Sequence, residues 1–142
     1  MITSFRNKYF FLSNFYEAPI IFDNVRYRNN EAAFQAQKCI DPEDRKKFSE
    51  LDPATAKKMG RKIKLRSDWE DVKVGLMRKI VFAKFTQHPN LTVELLNTKD
   101  EELVEGNNWG DKVWGQVNGE GQNLLGKILM EVRDEIRLKV RG

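Results

Sequence analysis

Two carboxylates in this chain have neighbours suited to acid–base chemistry. The first, Glu31, opens the stretch Glu31-Ala-Ala-Phe34-Gln35-Ala-Gln-Lys38. On a helix, Glu31, Gln35 and Lys38 fall on one face with Phe34 beside them, while Ala32, Ala36 and Cys39 make a small apolar face opposite. The small face allows close packing on a neighbour. The polar stripe then either meets water as a surface Glu–Lys pair or lines a cleft, and Phe34 is out of place on a fully wet face. The second carboxylate, Asp111, lies in the loop Glu105-Gly-Asn-Asn-Trp109-Gly-Asp111-Lys-Val-Trp114-Gly115. Trp is too large and apolar to sit in a loop without a partner. The loop is therefore either a place where backbone nears a ligand, a ring stacks and a carboxylate acts, or one where both rings plug the core and the glycines make turns.

Binding candidates lie around these acids. Phe10-Phe11-Leu12-Ser13-Asn14-Phe15-Tyr16 is an aromatic cluster broken by Ser13-Asn14, and Asn14 can read a base or ribose edge. Trp69 stands at a helix start, where it is either core or a stacking surface; together with Trp114 and Phe15 it could sandwich a heterocycle. Base–aromatic stacking is worth about 1–3 kcal/mol per base. From Arg45 to Arg66 there are nine basic residues against Glu50 and Asp52, and the stretch from Glu94 to Asp111 reverses the balance. The basic stretch either attracts phosphate or forms the solvated faces of helices.

Other chemistries lose ground. The lone His88 precedes Pro89 without an evident acid–base partner, and Cys and His are too few for a metal site. Neither a Walker-type nor a dinucleotide fingerprint is present. No metal and no cofactor is expected.

The elements that must position these residues belong to a mainly helical α+β domain with a small β-sheet. A length of 142 residues predicts a single domain, residues 1–142. One cysteine excludes an internal disulfide, and net charge +4 with a pI near 9.2 comes without an apolar run of membrane-spanning length or a signal-like start. A soluble cytoplasmic protein with no membrane association is expected. The pattern predicts a hairpin over 17–28 with an Asp23-Asn24 turn, and a helix capped by Asn29 or Asn30 that runs to about Ile40. Asp41-Pro42 and Asp52-Pro53 start two short helices, the second ended by Gly60, and Lys62–Arg66 reads as extended. A Ser67–Glu70 capping box opens the core helix to about Gln87, with Trp69, Val72, Leu76, Ile80 and Ala83 in one stripe and Met77, Val81 and Phe85 in the next. Asn90 caps a short helix, Leu103-Val104 reads as a short strand, and the last helix spans about 122–140 with Leu125, Ile128, Leu129, Val132, Ile136 and Val140 inward.

The chain resembles the NADAR, or YbiA-like, family. The resemblance is carried by Phe11–Phe15, Asn30–Lys38, Ala56–Arg61, Ser67–Trp69, Lys84-Phe85, Leu103–Glu105, Asp111, Trp114-Gly115 and Gly119–Arg133, in the expected order over nearly the whole chain. It implies the family's own α+β fold and an N-glycosidase. The implied substrates are ribosylamino-pyrimidine phosphates of early riboflavin synthesis, or ADP-ribose attached to guanine bases, with a nucleotide-like small molecule or ADP-ribosylated DNA as partner. It implies Glu31, Asp111 and Lys38 as catalytic residues, and Asn14, Phe15, Arg61, Trp69, Trp114 and Asn123 as substrate-binding residues. Arg61 follows Gly60 at a helix end and can grip phosphate through its planar fork, whereas Lys57 and Lys58 read as solvent-facing. Where the family often has a serine- or proline-rich approach to its aspartate, this chain has Asn107-Asn108-Trp109-Gly110, a difference that bears on loop shape and substrate choice. The alternative is a non-catalytic module that binds ADP-ribose-like ligands or nucleic acid. It needs the same rings and bases but not both acids.

Overall fold

The computed structural model describes residues 1–141 and divides into two compact units: Asn14–Gln87, and Met1–Ser13 together with the chain from His88 onward.

In the Asn14–Gln87 unit, strands β1 (Glu17–Phe22) and β2 (Val25–Asn29) form an antiparallel hairpin. Asp23 and Asn24 adopt φ of 50° and 66°, the left-handed pair that a tight two-residue turn requires and that Asp and Asn tolerate. Ile20 faces Tyr27, both buried, and the register slips between Glu17 and Ile20, where Pro19 has no N–H to donate. The outer edge of β1 is closed by a side chain. The Gln87 amide accepts from Ile21 N and donates to Ile21 O, both at 2.9 Å.

Helix α1 (Asn30–Ala36) follows directly, with Asn29 Oδ1 accepting from Ala32 N at 2.8 Å and Asn29 Nδ2 donating to Leu51 O. The helix ends four residues earlier than the pattern predicts. It closes through tighter turns, with Gln37, Lys38 and Cys39 N–H donating to Phe34, Gln35 and Ala36 O and the Gln37 amide donating to Ala33 O; the free Lys38 O and Cys39 O then accept from Arg66 N at 3.0 Å and Arg45 Nε at 2.8 Å. Helices α2 (Pro42–Lys46) and α3 (Pro53–Gly60) both begin on proline as expected, and Asp41 caps α2 through Glu43 N. Residues 62–66 are turn and coil rather than a strand.

Helix α4 (Trp69–Gln87) does not open on the expected capping box. Asp68 O takes the first helical bond from Val72 N, the Asp68 carboxylate is gripped by both ends of the Arg66 fork, and Glu70 pairs with Lys73. The Arg66 bond holds the Asp68 carboxyl below its usual value. Along α4, Trp69, Met77, Ile80, Val81 and Phe85 are buried, while Val72, Leu76 and Ala83 are only partly so.

In the other unit a 3-10 helix (Asn7–Leu12) precedes the division, and α5 (Pro89–Leu96) and α6 (Leu124–Arg141) supply its regular structure. The expected strand at Leu103-Val104 is a single parallel bridge from Leu103 to Ile2. Leu125, Ile128, Leu129, Val132 and Ile136 are buried as the pattern predicts. Val140, expected inward, is 68% exposed because it lies beyond the last buried turn. Arg133, buried on α6, donates to Thr98 Oγ1 and Glu101 O, and Arg137 reaches Asp100 and Lys99 O, so the segment after α5 is tied to α6. Among the described residues no helix is long and apolar enough to cross a membrane.

Candidate active site

In the Asn14–Gln87 unit the polar stripe of α1 is buried rather than wet. Every residue of α1 is buried, and Glu31 is only 8% exposed. Its backbone N–H donates to Asn14 O at 3.1 Å, and the Asn30 amide donates to Asn14 Oδ1 at 3.4 Å, so Asn14 seats the start of the helix. One turn on, Gln35 Nε2 donates to Glu31 Oε1 at 3.2 Å. Lys38 sits in the tight turn after α1 with Nζ 3.4 Å from Gly60 O and 5.9 Å from the centre of the Trp69 ring. The Trp69 and Phe34 rings meet at 5.1 Å with planes tilted by 49°.

The electrostatics of this group follow from its burial. Desolvation pushes the Lys38 ammonium below the usual lysine value, the charge of Glu31 pulls it back up, and that of Arg61 pushes it down again. Glu31, Lys38 and the exposed Arg61 therefore share one field, although they stand on different elements. Phe15 is half-buried with Lys57 Nζ 5.9 Å from its ring centre, so Lys57 is not the freely solvated base the sequence suggested, while Lys58 is exposed. Trp69 is 6% exposed and packs against Phe34, which makes it the floor of this group rather than an open surface.

In the other unit Asp111 is half-buried, and its Oδ1 accepts from Val113 N at 3.1 Å and Trp114 N at 2.9 Å. Asn107 braces the same turn, accepting from Asp111 N at 3.0 Å and donating to Asp111 O at 2.9 Å. Asn123 is buried with φ of 52°, and both ends of its amide serve the backbone: Nδ2 donates to Leu103 O and Oδ1 accepts from Glu105 N, each at 3.0 Å. A Cβ on Gly115 would overlap Glu105 O, which is why glycine follows Trp114. Trp114 is half-buried, whereas Trp109 is 52% exposed with the Arg6 guanidinium 5.9 Å from its ring centre. A cavity of about 760 Å³ in this unit, lined by Ile2, Tyr9, Phe11, Glu94 and Thr98 among others, takes in Phe11 of the aromatic cluster but none of the expected catalytic or substrate-binding residues. Its walls mix acids, bases and the rings of Tyr9 and Phe11. Among the described residues no group of His, Cys, Asp or Glu could hold a metal ion.

The family model described as the NADAR domain matches residues 3–137. The chain belongs to the NADAR family. The N-glycosidase YbiA of Shigella flexneri serotype 5b (strain 8401) is 41% identical over 131 residues, covering 89% of this chain and 81% of that protein. A riboflavin biosynthesis protein of Vibrio vulnificus (strain YJ016) is 39% identical over 131 residues, covering 89% of this chain and 35% of that protein. The NMR structure of the E. coli protein YbiA superposes with a TM-score of 0.86 at 38% identity, covering 98% of this chain and 84% of that one. The α+β fold expected from the sequence is thus the fold of a NADAR relative.

One buried group of this NADAR chain escaped the residue-by-residue reading. Lys84 of α4 is fully buried, with Nζ 5.3 Å from the Tyr16 ring centre and 5.0 Å from that of Phe85. Desolvation brings it down to about 7. The signal was in the sequence: Lys84 continues the register of Met77, Ile80 and Val81, so a charge falls in the middle of an apolar stripe.

Proposed function

We propose that the chain is an N-glycosidase that hydrolyses the bond between ribose and a nitrogen base in nucleotide-like substrates. The observation that carries this reading is the buried Glu31–Gln35 pair of α1 with the Lys38 ammonium in the next turn, held near the Trp69 ring that packs on Phe34. Breaking the C1′–N bond builds oxocarbenium-like charge on the ribose, which a carboxylate stabilises. Water attacks C1′, one of its protons passes to a carboxylate, and the leaving nitrogen takes up a proton from a donor. Glu31 and Asp111 are the carboxylates in this reading. Asp111 Oδ1 is occupied by its own loop, so Oδ2 is the oxygen it offers. Lys38 is the donor, since a lysine held below its ordinary value gives up its proton more readily near neutrality. Trp69 and Phe34 back the site, Asn14 orients Glu31, and Phe15, Trp114, Asn123 and Arg61 complete the proposed binding set, with Arg61 on phosphate.

The finer substrate assignment has two branches. Ribosylamino-pyrimidine phosphates are supported by the relative named as a riboflavin biosynthesis protein. ADP-ribose on guanine, with ADP-ribosylated DNA as partner, rests on the family resemblance alone. In this reading the chain acts as one functional domain, since the family model runs through both units. It sets the protein in the cytoplasm, where the lone buried Cys39 stays a thiol. The test is mass spectrometry of products after incubation with each substrate. Release of free base or pyrimidine with the matching ribose product is expected from one of them. Tight binding of both without products would overturn the enzyme reading in favour of a binding module.

A further inference from the structure

The two ends of the Gln35 amide meet different parts of the site, and only one of them is hydrogen-bonded. Nε2 donates to Glu31 Oε1 at 3.2 Å. Oε1 is buried with no N–H or O–H donor. It faces Gly60, where a Cβ would overlap the amide oxygen and lie 2.7 Å from Cδ. The Gly60 Cα–H stands in the place of that Cβ, so the oxygen meets only a weak carbon donor. A buried amide oxygen left in that state is unfavourable and persists only when something fixes the amide the other way round. Here the fixing group is the Glu31 carboxylate, because flipping the amide would turn its oxygen onto the carboxylate. Gly60 in turn accepts from Lys38 Nζ at 3.4 Å through its carbonyl and carries Arg61 as the next residue.

We propose that Gln35 is a positioning residue for the reaction, seated on Gly60, that donates a hydrogen bond to the Glu31 carboxylate and holds its orientation beside Lys38. The role of Gln35 rests on the reading of Glu31 as a reacting carboxylate. The seat itself does not: glycine at position 60 is what allows α3 to approach α1 closely enough for one amide to touch both the carboxylate and the turn that bears Arg61. A bond donated to a carboxylate favours its charged form, so removing it makes the group easier to protonate.

The test combines measurements that separate the two readings. In carbon NMR titration of the Glu31 carboxyl, Gln35→Met, which keeps length but has no donor, is expected to move the midpoint to higher pH. Gln35→Glu is expected to move it further, because two carboxylates then compete for one proton. With the substrate that the wild-type protein cleaves, the acid limb of kcat should shift in the same direction, with kcat at its plateau lowered by about 10-fold and KM changed little. Gly60→Ala should lower the melting temperature in the wild-type background but not in Gln35→Ala, where the colliding amide is gone. An unmoved Glu31 midpoint in both Gln35 variants overturns the positioning role, and an equal melting loss from Gly60→Ala in both backgrounds overturns the seat. Wild-type turnover in Glu31→Gln would instead sink the functional reading and leave the titration result standing.

Discussion

Glu31 and Asp111 are the same functional group held in opposite ways. Glu31 is buried on a helix, and its carboxylate accepts from another side chain, that of Gln35. Asp111 is half-buried on a loop and is braced by the loop's own backbone through Val113 and Trp114 N–H. The first carboxylate depends on how helices pack; the second builds the turn that carries it. Removing the charge at Glu31 therefore tests chemistry, whereas removing the side chain at Asp111 also dismantles its support. The same contrast runs through the tryptophans and the buried cations of the two units.

The largest effect is expected at the tryptophans. Trp69→Ala removes a buried ring packed on Phe34 and is expected to cost about 3–5 kcal/mol of stability, read by denaturant melting. Trp114→Ala, from a half-buried loop position, should lose less stability and show its effect in ligand affinity, by about 1–3 kcal/mol if the ring stacks on a base. Equal stability losses from the two would erase the contrast.

Next come the acids. Glu31→Gln and Asp111→Asn should each lower turnover by about 10²-fold or more with the fold kept. The asparagine retains an oxygen for Val113 and Trp114 N–H, so Asp111→Ala should additionally lose about 1 kcal/mol of stability, as for a missing cap. If Asp111→Ala and Asp111→Asn melt alike, the loop does not depend on that oxygen.

The buried cations sharpen the comparison further. Between about 7, the value for folded Lys84, and the ordinary lysine value of 10.5, the unfolded chain holds a proton that folded Lys84 has lost. Stability should therefore rise with pH across that window by up to about 1.4 kcal/mol per pH unit, and be flat from this group below it. Lys84→Met should flatten the rise. Arg133 is also pushed down by burial, but an arginine stays charged there and is bonded to Thr98 and Glu101, so Arg133→Met should lower stability without changing the slope. An unchanged slope in Lys84→Met would show that this lysine does not titrate in the window.

The smallest effect is at the exposed bases. Arg61→Ala should raise the KM of a phosphorylated substrate several-fold more than that of its dephosphorylated nucleoside, and less so as salt rises. Lys112, exposed in the other unit and 3.7 Å from Glu120, should give no such difference when changed to alanine. Matching effects from the two would assign the Arg61 result to general surface charge.

The parts of this fold that were legible in the sequence are those decided within a few residues. The Asp23-Asn24 hairpin, the proline starts of α2 and α3, and the apolar register of α6 all depend on neighbours in the chain. The stop of α1 does not: the chain tightens after Ala36 into turns whose outward carbonyls, Lys38 O and Cys39 O, are taken by the distant Arg66 and Arg45. The capping box failed for the same reason: Asp68 was drawn into the Arg66 fork and took the helix start with it. In the candidate site, the Glu31–Gln35 pairing was readable because a helix brings residues four apart onto one face, whereas Lys38 falls past the end of α1, in a turn that the helical spacing does not describe. The backbone duties of Asn107, Asp111 and Asn123 were not, since they exist only once the loop has closed.

The Gln87 amide at the edge of β1 ties together parts of the molecule that form at different ranges. A lone two-stranded hairpin is marginal in water, and this one has its outer edge paired by the last residue of a nineteen-residue helix. The hairpin can open at Ile21 only when the end of α4 lets go. The exchange rate of the Ile21 amide proton therefore reports the fraying of a helix rather than of the strand that contains it, and that helix also carries Trp69 and Lys84.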